Sequence, residues 1–260
     1  MSEAAMKTLL LAVITLLLLP GCDRPRSAGP GPGYAEDAAG YGEGGGKGDP
    51  FTAARFAMVR DQIEGRGVRD PRVLRAMRAV ERHRFVPPEC VPSAYEDHPL
   101  PIGYGQTISQ PLIVAYMTEK AAVKTSDRVL EVGTGSGYQA AVLSLLAKEV
   151  YTVEILEPLA LEAADRLKKL GYANVVCRVG DGWKGWPEKA PFDVILVTAA
   201  PPEVPPDLVR QLAPGGRMVV PVGGTGETQE LTLVTRDTEG RVGYETLLPV
   251  RFVPLVHGAR

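Results

Sequence analysis

The chain has 260 residues, of which 45% are hydrophobic, and its formal net charge is −2. This is enough chain for one large α/β domain with a small extension. Without clustered lysines and arginines, nucleic acid is not expected as a partner. The three histidines are scattered and the three cysteines share no Cys-x-x-Cys spacing, so no metal site is predicted. For Cys90 and Cys177, two buried thiols are favoured over a disulfide between them.

Residues 1–22 have the pattern of an export signal. Met6-Lys7 precedes an apolar run over 9–19, which is short for a transmembrane helix. The run ends in Leu19-Pro20-Gly21-Cys22, which resembles a bacterial lipoprotein box. On that interpretation Cys22 is lipidated and tethers the protein to a membrane. The alternative is an extension that does not work as a signal.

Residues 23–50 are rich in glycine and proline and contain few large apolar side chains, which predicts a disordered linker. A folded domain is predicted over 51–260, and its first part, 51–96, is expected to be a helical lid. Phe56, Val59 and Ile63 recur at helical spacing. Asp70-Pro71 is typical of a helix N-cap followed by proline in the first turn.

The region 98–111 is rich in proline, glycine and hydroxyl residues and is predicted to be a loop. A helix is expected to begin at Pro111, with Ser109 or Gln110 as its cap.

Strands and helices alternate from residue 127 onward. Predicted strands cover 128–132, 150–154, 174–179, 192–197, 217–222, 231–235 and 243–253. Predicted helices cover 138–147, 158–170 and 208–212, the last of them closed by Pro214-Gly215-Gly216. The fold class that follows is α/β: a doubly wound, mostly parallel Rossmann-like sheet with an N-terminal helical lid.

The first strand of this sheet leads into a glycine-rich turn. Its sequence is Glu131-Val132-Gly133-Thr134-Gly135-Ser136-Gly137. Alternate glycines let the backbone approach a ligand closely. Tyr138 occupies the place of the last glycine in the dinucleotide fingerprint. The pattern instead resembles the first motif of S-adenosylmethionine-dependent methyltransferases.

Two acidic residues follow the next two strands. Glu154 lies about 20 residues after the first glycine, where an acid binds the hydroxyl groups of a ribose. Asp181, in Gly180-Asp181-Gly182, could accept a hydrogen bond from an adenine amino group, although an Asp-Gly turn is a competing explanation. Because the carboxyl ends of parallel strands share one edge of the sheet, these features together predict a cofactor site there.

Over residues 58–255 the chain resembles the protein-L-isoaspartate (D-aspartate) O-methyltransferases. The stretches that carry this resemblance are DHPLPIG at 97–103, GQTISQP at 105–111, VLEVGTGSGYQAAV at 129–142, Gly180-Asp181-Gly182, APFD at 190–193, VTAA at 197–200 and FVPL at 252–255. The signal-like N-terminus and linker depart from the family pattern.

The resemblance implies a repair enzyme that uses S-adenosyl-L-methionine to methylate the α-carboxylate of L-isoaspartyl and D-aspartyl residues in damaged proteins. The ester then closes to a succinimide. Ser109 is implied as the catalytic residue, with Thr107, Ile108, Thr198 and Ala199 lining the substrate site. The expected cofactor residues are Glu131, Gly133, Thr134, Gly135, Ser136, Gly137, Glu154, Asp181 and Gly182.

Three rival functions remain: a methyltransferase for another acceptor, a dinucleotide-dependent oxidoreductase, and a tethered module that binds damaged sites without catalysis. The family pattern and the cytoplasmic synthesis of the cofactor favour a cytoplasmic location. A monomer is expected. The signal-like segment favours the alternative of an exported lipoprotein anchored through Cys22.

Overall fold

A computed structural model of the chain describes residues 49–258, so the predicted signal at 1–22 and nearly all of the predicted linker lie outside the described residues. The helices are α1 (Thr52–Ala57, continued by a π-helix over Met58–Ile63 and a 3-10 turn over Glu64–Arg66), α2 (Pro71–Ala79), α3 (Pro111–Ala121), α4 (Tyr138–Ser144), α5 (Glu157–Lys169) and α6 (Pro206–Gln211). The strands are β1 (Leu100–Gly103), β2 (Gln106–Ile108), β3 (Arg128–Val132), β4 (Glu149–Glu154), β5 (Val175–Val179), β6 (Phe192–Val197), β7 (Leu212–Val222), β8 (Gln229–Arg236) and β9 (Val242–Val250).

The main sheet has seven strands in the order β5-β4-β3-β6-β7-β8-β9. Strands β3 to β7 are parallel, whereas β8 and β9 pair antiparallel with their neighbours. The predicted doubly wound, mostly parallel α/β fold is therefore confirmed. The strand order reverses beside β3, because the chain moves outward to β4 and β5 and then returns to β6. Ligands of such sheets bind at the carboxyl ends of the strands next to this reversal.

Strands β3 and β6 form the centre of the sheet and are buried along nearly their whole length. The near-continuous apolar pattern of 192–197 predicted this burial, which is typical of parallel strands covered on both faces. On one face, Leu130 and Ile195 belong to a core that includes Phe192 and Trp186. Tyr151 meets Trp186 edge to face, with ring centroids 5.5 Å apart. A packed core therefore fixes the strands whose ends form the site.

The N-terminal helices pack against α3 and α4. Asp70 caps α2 as predicted, since its Oδ1 accepts a hydrogen bond from the backbone N–H of Arg72 at 2.8 Å. The buried side chain of Arg82 lies over the ring of Tyr138, with 4.9 Å between the guanidinium carbon and the ring centroid. No residue of 51–96 lines the cavity described below, so the role of this segment as a lid stays a prediction.

The prediction of a loop over 98–111 is wrong in part. Strands β1 and β2 form an antiparallel hairpin there. Its turn is Gly103-Tyr104-Gly105, in which all three residues have positive φ, at 90°, 54° and 72°. Glycine adopts such angles without steric cost, so two of the three turn positions are unstrained. The proline and glycine content of this region hid two short strands.

The predicted boundary between α6 and the fifth strand is also wrong. Strand β7 begins at Leu212 and runs through Pro214-Gly215-Gly216, which were expected to separate helix from strand. The pairing of β6 with β7 shifts register between Phe192 and Val194, and this irregularity accommodates the three residues. The carboxyl end of β7 is unchanged by the correction.

Cys90 and Cys177 are both present as thiols, with Cys90 buried and Cys177 half-buried. Within residues 49–258, no helix combines the length and the apolar character that a membrane span needs.

Candidate functional site

A cavity lies at the carboxyl ends of β3, β4 and β6, where the strand order reverses. Its lining residues come from six stretches of chain and, in addition, from α3 and α4. They are Gln106, Thr107, Ile108, Ser109, Val114, Glu131, Val132, Gly133, Thr134, Gly135, Ser136, Tyr138, Gln139, Val153, Glu154, Ile155, Leu156, Gly182, Thr198, Ala199, Val253, Pro254, Leu255 and Val256. The cavity therefore brings together most of the residues predicted for the cofactor and for the substrate.

The glycine turn between β3 and α4 lines the cavity over residues 133–136, whereas Gly137 does not line it, so a contact between Gly137 and the cofactor stays a prediction. Gly133, Gly135 and Gly137 have positive φ angles of 96°, 53° and 90°. A Cβ at Gly133 would lie 2.5 Å from Oγ1 of Thr198, so the close packing of the turn against β6 also requires glycine. The backbone N–H of Gly133 donates to the carbonyl oxygen of Val153 at 2.9 Å. The turn is thus fixed to both neighbouring strands.

Glu154 lies at the end of β4 and lines the cavity. Its Oε2 accepts a hydrogen bond from the backbone N–H of Gly135 at 2.9 Å, and its Oε1 accepts one from Leu156 at 3.1 Å. These bonds hold the carboxylate in one orientation against the glycine turn. Each oxygen keeps a second lone pair for a ligand, as the predicted binding of a ribose requires.

Glu131 is the second carboxyl group in the cavity and is fully buried at the end of β3. The Thr152 hydroxyl donates to its Oε2 at 2.6 Å, and Thr134 Oγ1 lies 2.6 Å from Thr152 Oγ1. Burial raises the pKa of Glu131 to about 8, an effect that the Thr152 hydrogen bond opposes and the charge of Glu154 reinforces.

Asp181 differs from the other acids in its surroundings. Its Oδ1 accepts a hydrogen bond from the backbone N–H of Trp183 at 2.9 Å, and its Oδ2 accepts one from Gly258 at 3.2 Å. The side chain thus caps a short 3-10 turn over Gly182–Lys184 and contacts the C-terminal segment. Gly182 lines the cavity but Asp181 does not, so a contact between Asp181 and an adenine stays a prediction.

Strand β2 runs directly into the predicted substrate residues. Thr107, Ile108 and Ser109 all line the cavity. The N-cap position of α3 belongs to Gln110, and its side chain makes no capping hydrogen bond. Ser109 is therefore not the N-cap of α3, and among the described residues its hydroxyl makes no capping hydrogen bond to this helix.

The end of β6 and the C-terminal segment also line the cavity. Thr198 Oγ1 donates to the carbonyl oxygens of Gly133 and Val132 at 2.7 and 3.0 Å. The N–H of Ala200 donates to the carbonyl oxygen of Val253 at 2.8 Å, and the N–H of Leu255 donates to that of Ala200 at 2.9 Å. Residues 253–256 are consequently held along the cavity.

Sequence reasoning did not assign several of these lining residues to the site. They are Gln106, Val114, Val132, Tyr138, Gln139, Val153, Ile155, Leu156 and residues 253–256. For the C-terminal segment a signal existed, because FVPL at 252–255 belongs to the family pattern. For the others, only their neighbourhood to the glycine turn and to Glu154 could have indicated a role.

The chemistry of the cavity fits the expected cofactor. Oε1 of Glu131 and Oγ of Ser136 are buried and have no hydrogen-bond partner among the described residues. Buried polar atoms without partners are rare in proteins and point to a ligand or water. Together with the closely packed glycine at position 133, they form a cradle for a polar molecule. No group of three potential metal ligands was found within residues 49–258.

Comparison with protein families matches residues 54–260 to the model described as protein-L-isoaspartate(D-aspartate) O-methyltransferase. Protein-L-isoaspartate O-methyltransferase 1 of Nitrosospira multiformis is 60% identical over 210 residues, which cover 80% of this chain and 89% of that protein. Protein-L-isoaspartate O-methyltransferase 1 of Cupriavidus necator is 61% identical over 217 residues, which cover 80% of this chain and 84% of that protein.

Two solved structures have the same architecture. A protein-L-isoaspartate O-methyltransferase superposes with a TM-score of 0.69 at 29% identity, covering 80% of this chain and 66% of that chain. A protein from Plasmodium falciparum, described as a putative protein-L-isoaspartate O-methyltransferase in complex with S-adenosyl-L-homocysteine, superposes with a TM-score of 0.68 at 25% identity. That comparison covers 78% of this chain and 98% of the other.

Proposed function

Since the chain belongs to the protein-L-isoaspartate (D-aspartate) O-methyltransferase family, we propose that its cavity binds S-adenosyl-L-methionine and an isoaspartyl residue side by side. The enzyme methylates the α-carboxylate of L-isoaspartyl, and also D-aspartyl, residues in damaged proteins. The observation that carries this assignment is that the glycine turn and Ser109 line one cavity. The neighbouring amide nitrogen then attacks the ester carbonyl and methanol leaves, which gives a succinimide whose hydrolysis returns part of the residue to normal aspartate.

When bound, S-adenosyl-L-methionine supplies a methyl group on a sulfonium, which leaves as a neutral thioether. The attacking carboxylate is already ionised at neutral pH and needs no general base. The protein must therefore orient one carboxylate oxygen in line with the methyl carbon and exclude water. A hydrogen bond donated by the Ser109 hydroxyl orients the carboxylate, while Thr107 and Ile108 line the same side.

The remaining residues hold the cofactor and close the site. Glu154 accepts hydrogen bonds from ribose hydroxyls, and the glycine turn lies against the body of the cofactor. Thr198 and Ala199 face Ser109 across the cavity and limit the acceptor. Residues 253–256 shield this wall from water, because backbone hydrogen bonds fix them to Ala200.

The experiment is methyl transfer from labelled S-adenosyl-L-methionine to an isoaspartyl peptide, with the matched aspartyl peptide as control. Transfer to the isoaspartyl peptide alone supports the proposal. Cofactor binding without transfer to either peptide supports the alternative, a methyltransferase for another acceptor. A chain starting near Gly48 suffices, since the family match begins at residue 54.

We place the enzyme in the cytoplasm, where its cofactor is made. Its partners there are damaged proteins, and it acts as a monomer. The alternative, export and anchoring through Cys22, depends on residues outside the described part of the chain. Expression of the full chain in a bacterial host, followed by fractionation and mass determination, separates the two locations. Lipidated, truncated protein in the membrane fraction contradicts the cytoplasmic placement, and size-exclusion chromatography tests the monomer.

A further inference from the structure

One carboxyl oxygen of Glu131 accepts a hydrogen bond, and the other has no hydrogen-bond partner among the described residues. Thr152 donates to Oε2 at 2.6 Å, and Thr134 lies at the same distance from Thr152, so the two threonines fix the carboxyl group. Oε1 is buried without a hydrogen-bond partner among the described residues, although Glu131 lines the cavity. When the group is neutral, its proton therefore lies on Oε1, the oxygen that faces the ligand.

The groups around Glu131 do not compensate a negative charge. Strand β4 contributes another carboxylate, Glu154, and β5 contributes the Cys177 thiol, whose pKa is raised to about 11 by its burial and by the charge of Glu131. On the β6 side, Glu131 pairs with the apolar Leu196. Helices α3 and α4 contribute Val114, Tyr138 and Gln139 to the lining, and the Tyr138 hydroxyl, whose pKa is raised by burial, donates to Met77 Sδ at 3.9 Å.

No lysine, arginine or histidine is among the cavity's lining residues in the described part of the chain. The acidic and basic residues of α3, Glu119 and Lys120, lie in its last turn, and Glu119 accepts hydrogen bonds from the backbone of Arg69 and Asp70. A buried carboxylate without a cation is costly, and such a group stays protonated instead.

Resting on the proposed function, we propose that Glu131 is protonated in the free enzyme and releases its proton to solvent when the cofactor binds. Oε1 then pairs with the ammonium group at the methionine end of the cofactor. The order of the acids supports this placement. Glu154 at the end of β4 takes the ribose, so the methionine end extends toward β3 and Ser109. Thr152 and Thr134 are positioning residues that hold Oε2 and keep Oε1 toward the ligand.

Proton release makes cofactor affinity depend on pH. Below the pKa of the free enzyme's Glu131, each unit of rising pH strengthens binding by about tenfold, and the effect levels off above it. The number of protons released per bound ligand is about one at neutral pH and falls toward zero at alkaline pH.

The experiment is calorimetric titration of the enzyme with S-adenosyl-L-homocysteine, which carries the same ammonium group and no reactive methyl. Heats measured at pH 7 in phosphate and in Tris differ by the number of protons released times the difference in buffer ionisation enthalpy. A value near one proton supports the proposal. Binding without proton release overturns it and leaves the proposed function standing, whereas failure to bind overturns the cofactor assignment itself.

Variants identify the source of the proton. Glu131→Gln, which keeps the size of the side chain, should abolish the release and weaken binding at least tenfold at pH 8. Cys177→Ala is the matched control, because this thiol lies beside Glu131 yet stays protonated at pH 7, and its release should equal that of the parent. Unchanged release in Glu131→Gln overturns the proposal.

A second pair of variants tests the threonines. Thr152→Val removes the donor to Oε2, so ionised Glu131 is less stable and the pH at which binding levels off should move upward. Thr152→Ser restores the hydroxyl and should restore the parent pH profile. Identical profiles in the valine and serine variants contradict the positioning role.

Discussion

Ser109 follows the end of β2 and lines the same cavity as Thr198, and Gln110 rather than Ser109 occupies the N-cap of α3. A hydrogen bond to a charged group contributes about 1.5–3 kcal/mol. If this bond is made mainly when the carboxylate is aligned with the methyl carbon, Ser109→Ala should lower kcat for an isoaspartyl peptide by roughly ten- to hundredfold. The cofactor Kd should change little, because the proposed partner of Ser109 is the acceptor carboxylate and not the cofactor. Steady-state kinetics and calorimetry provide the two measurements.

Ser126→Ala is the matched control for this substitution. Ser126 is exposed in the turn before β3 and does not line the cavity. The control should retain the parent turnover, so any loss in Ser109→Ala reflects the position of the hydroxyl. Equal turnover in Ser109→Ala and the parent would remove Ser109 from catalysis.

Gly133 combines a positive φ of 96° with the absence of space for a side chain. Gly133→Ala therefore has to strain the backbone and displace Thr198, whose Oγ1 would lie 2.5 Å from the new Cβ. Gly171→Ala isolates the first effect, since Gly171 has a φ of 83° but no atom within 4 Å of the added Cβ. Backbone strain alone costs about 1–3 kcal/mol.

Thermal unfolding should show a larger loss of stability for Gly133→Ala than for Gly171→Ala, and only the former should weaken cofactor binding. Equal losses in both variants would mean that the contact with Thr198 is not limiting.

The sequence predicted the sheet well where the signal was local. Strand 192–197 and the helix cap at Asp70 follow from apolar runs and capping chemistry within a few residues of chain. The glycine turn and Glu154 could be placed together because parallel strands end at one edge of a sheet. What remained hidden depends on pairing between distant segments. The bridge between Ala200 and Pro254 has no local pattern, so the family pattern marked FVPL at 252–255 without revealing that this segment lines the cavity.

The hairpin β1–β2 illustrates a second limit. Its strands have four and three residues, too few to display an alternating pattern, and one contains a proline. Composition therefore suggested a loop, although the same glycines supply the positive φ angles of the hairpin turn. The family pattern predicted that GQTISQP belongs to the substrate site, without revealing that a strand leads into Ser109.

Trp183 connects the turn after β5 to the C-terminal segment. Its indole N–H donates to the carbonyl oxygen of Leu255 at 3.2 Å, and its ring stacks on His257 with centroids 4.2 Å apart. Trp183→Ala removes both contacts and should weaken cofactor binding by about fivefold or more, since one hydrogen bond contributes about 1 kcal/mol. Trp183→Phe keeps a ring that can stack on His257, so its cofactor affinity should lie between those of the parent and Trp183→Ala. Parent-like affinity in Trp183→Ala, measured by calorimetry, would show that the segment is held by the Ala200 bonds alone.

Across the whole molecule, the reversal of strand order places an ionisable group inside the most deeply buried part of the sheet. Glu131 lies between β4 and β6, with its backbone neighbours in the apolar core. The unfolded chain has no such burial, so the same carboxyl group has an ordinary pKa there. The fold and the site are therefore coupled through one proton.

This coupling gives the stability of the ligand-free enzyme a defined pH dependence. Burial raises the pKa of Glu131 from 4.5 to about 8. Between these values the folded state holds a proton that the unfolded state has lost, so this contribution is fully present below pH 4.5 and is lost as pH rises toward 8. Glu131→Gln cannot ionise, and its melting temperature relative to the parent should rise from pH 5.5 to pH 8.5, by about 2–4 °C per kcal/mol. Glu149→Gln is the control, because the pKa of this exposed group is lowered by hydrogen bonds from Arg128 and Tyr151. Its difference from the parent should stay constant over that range, and a constant difference for Glu131→Gln as well would mean that Glu131 is ionised in the folded enzyme throughout.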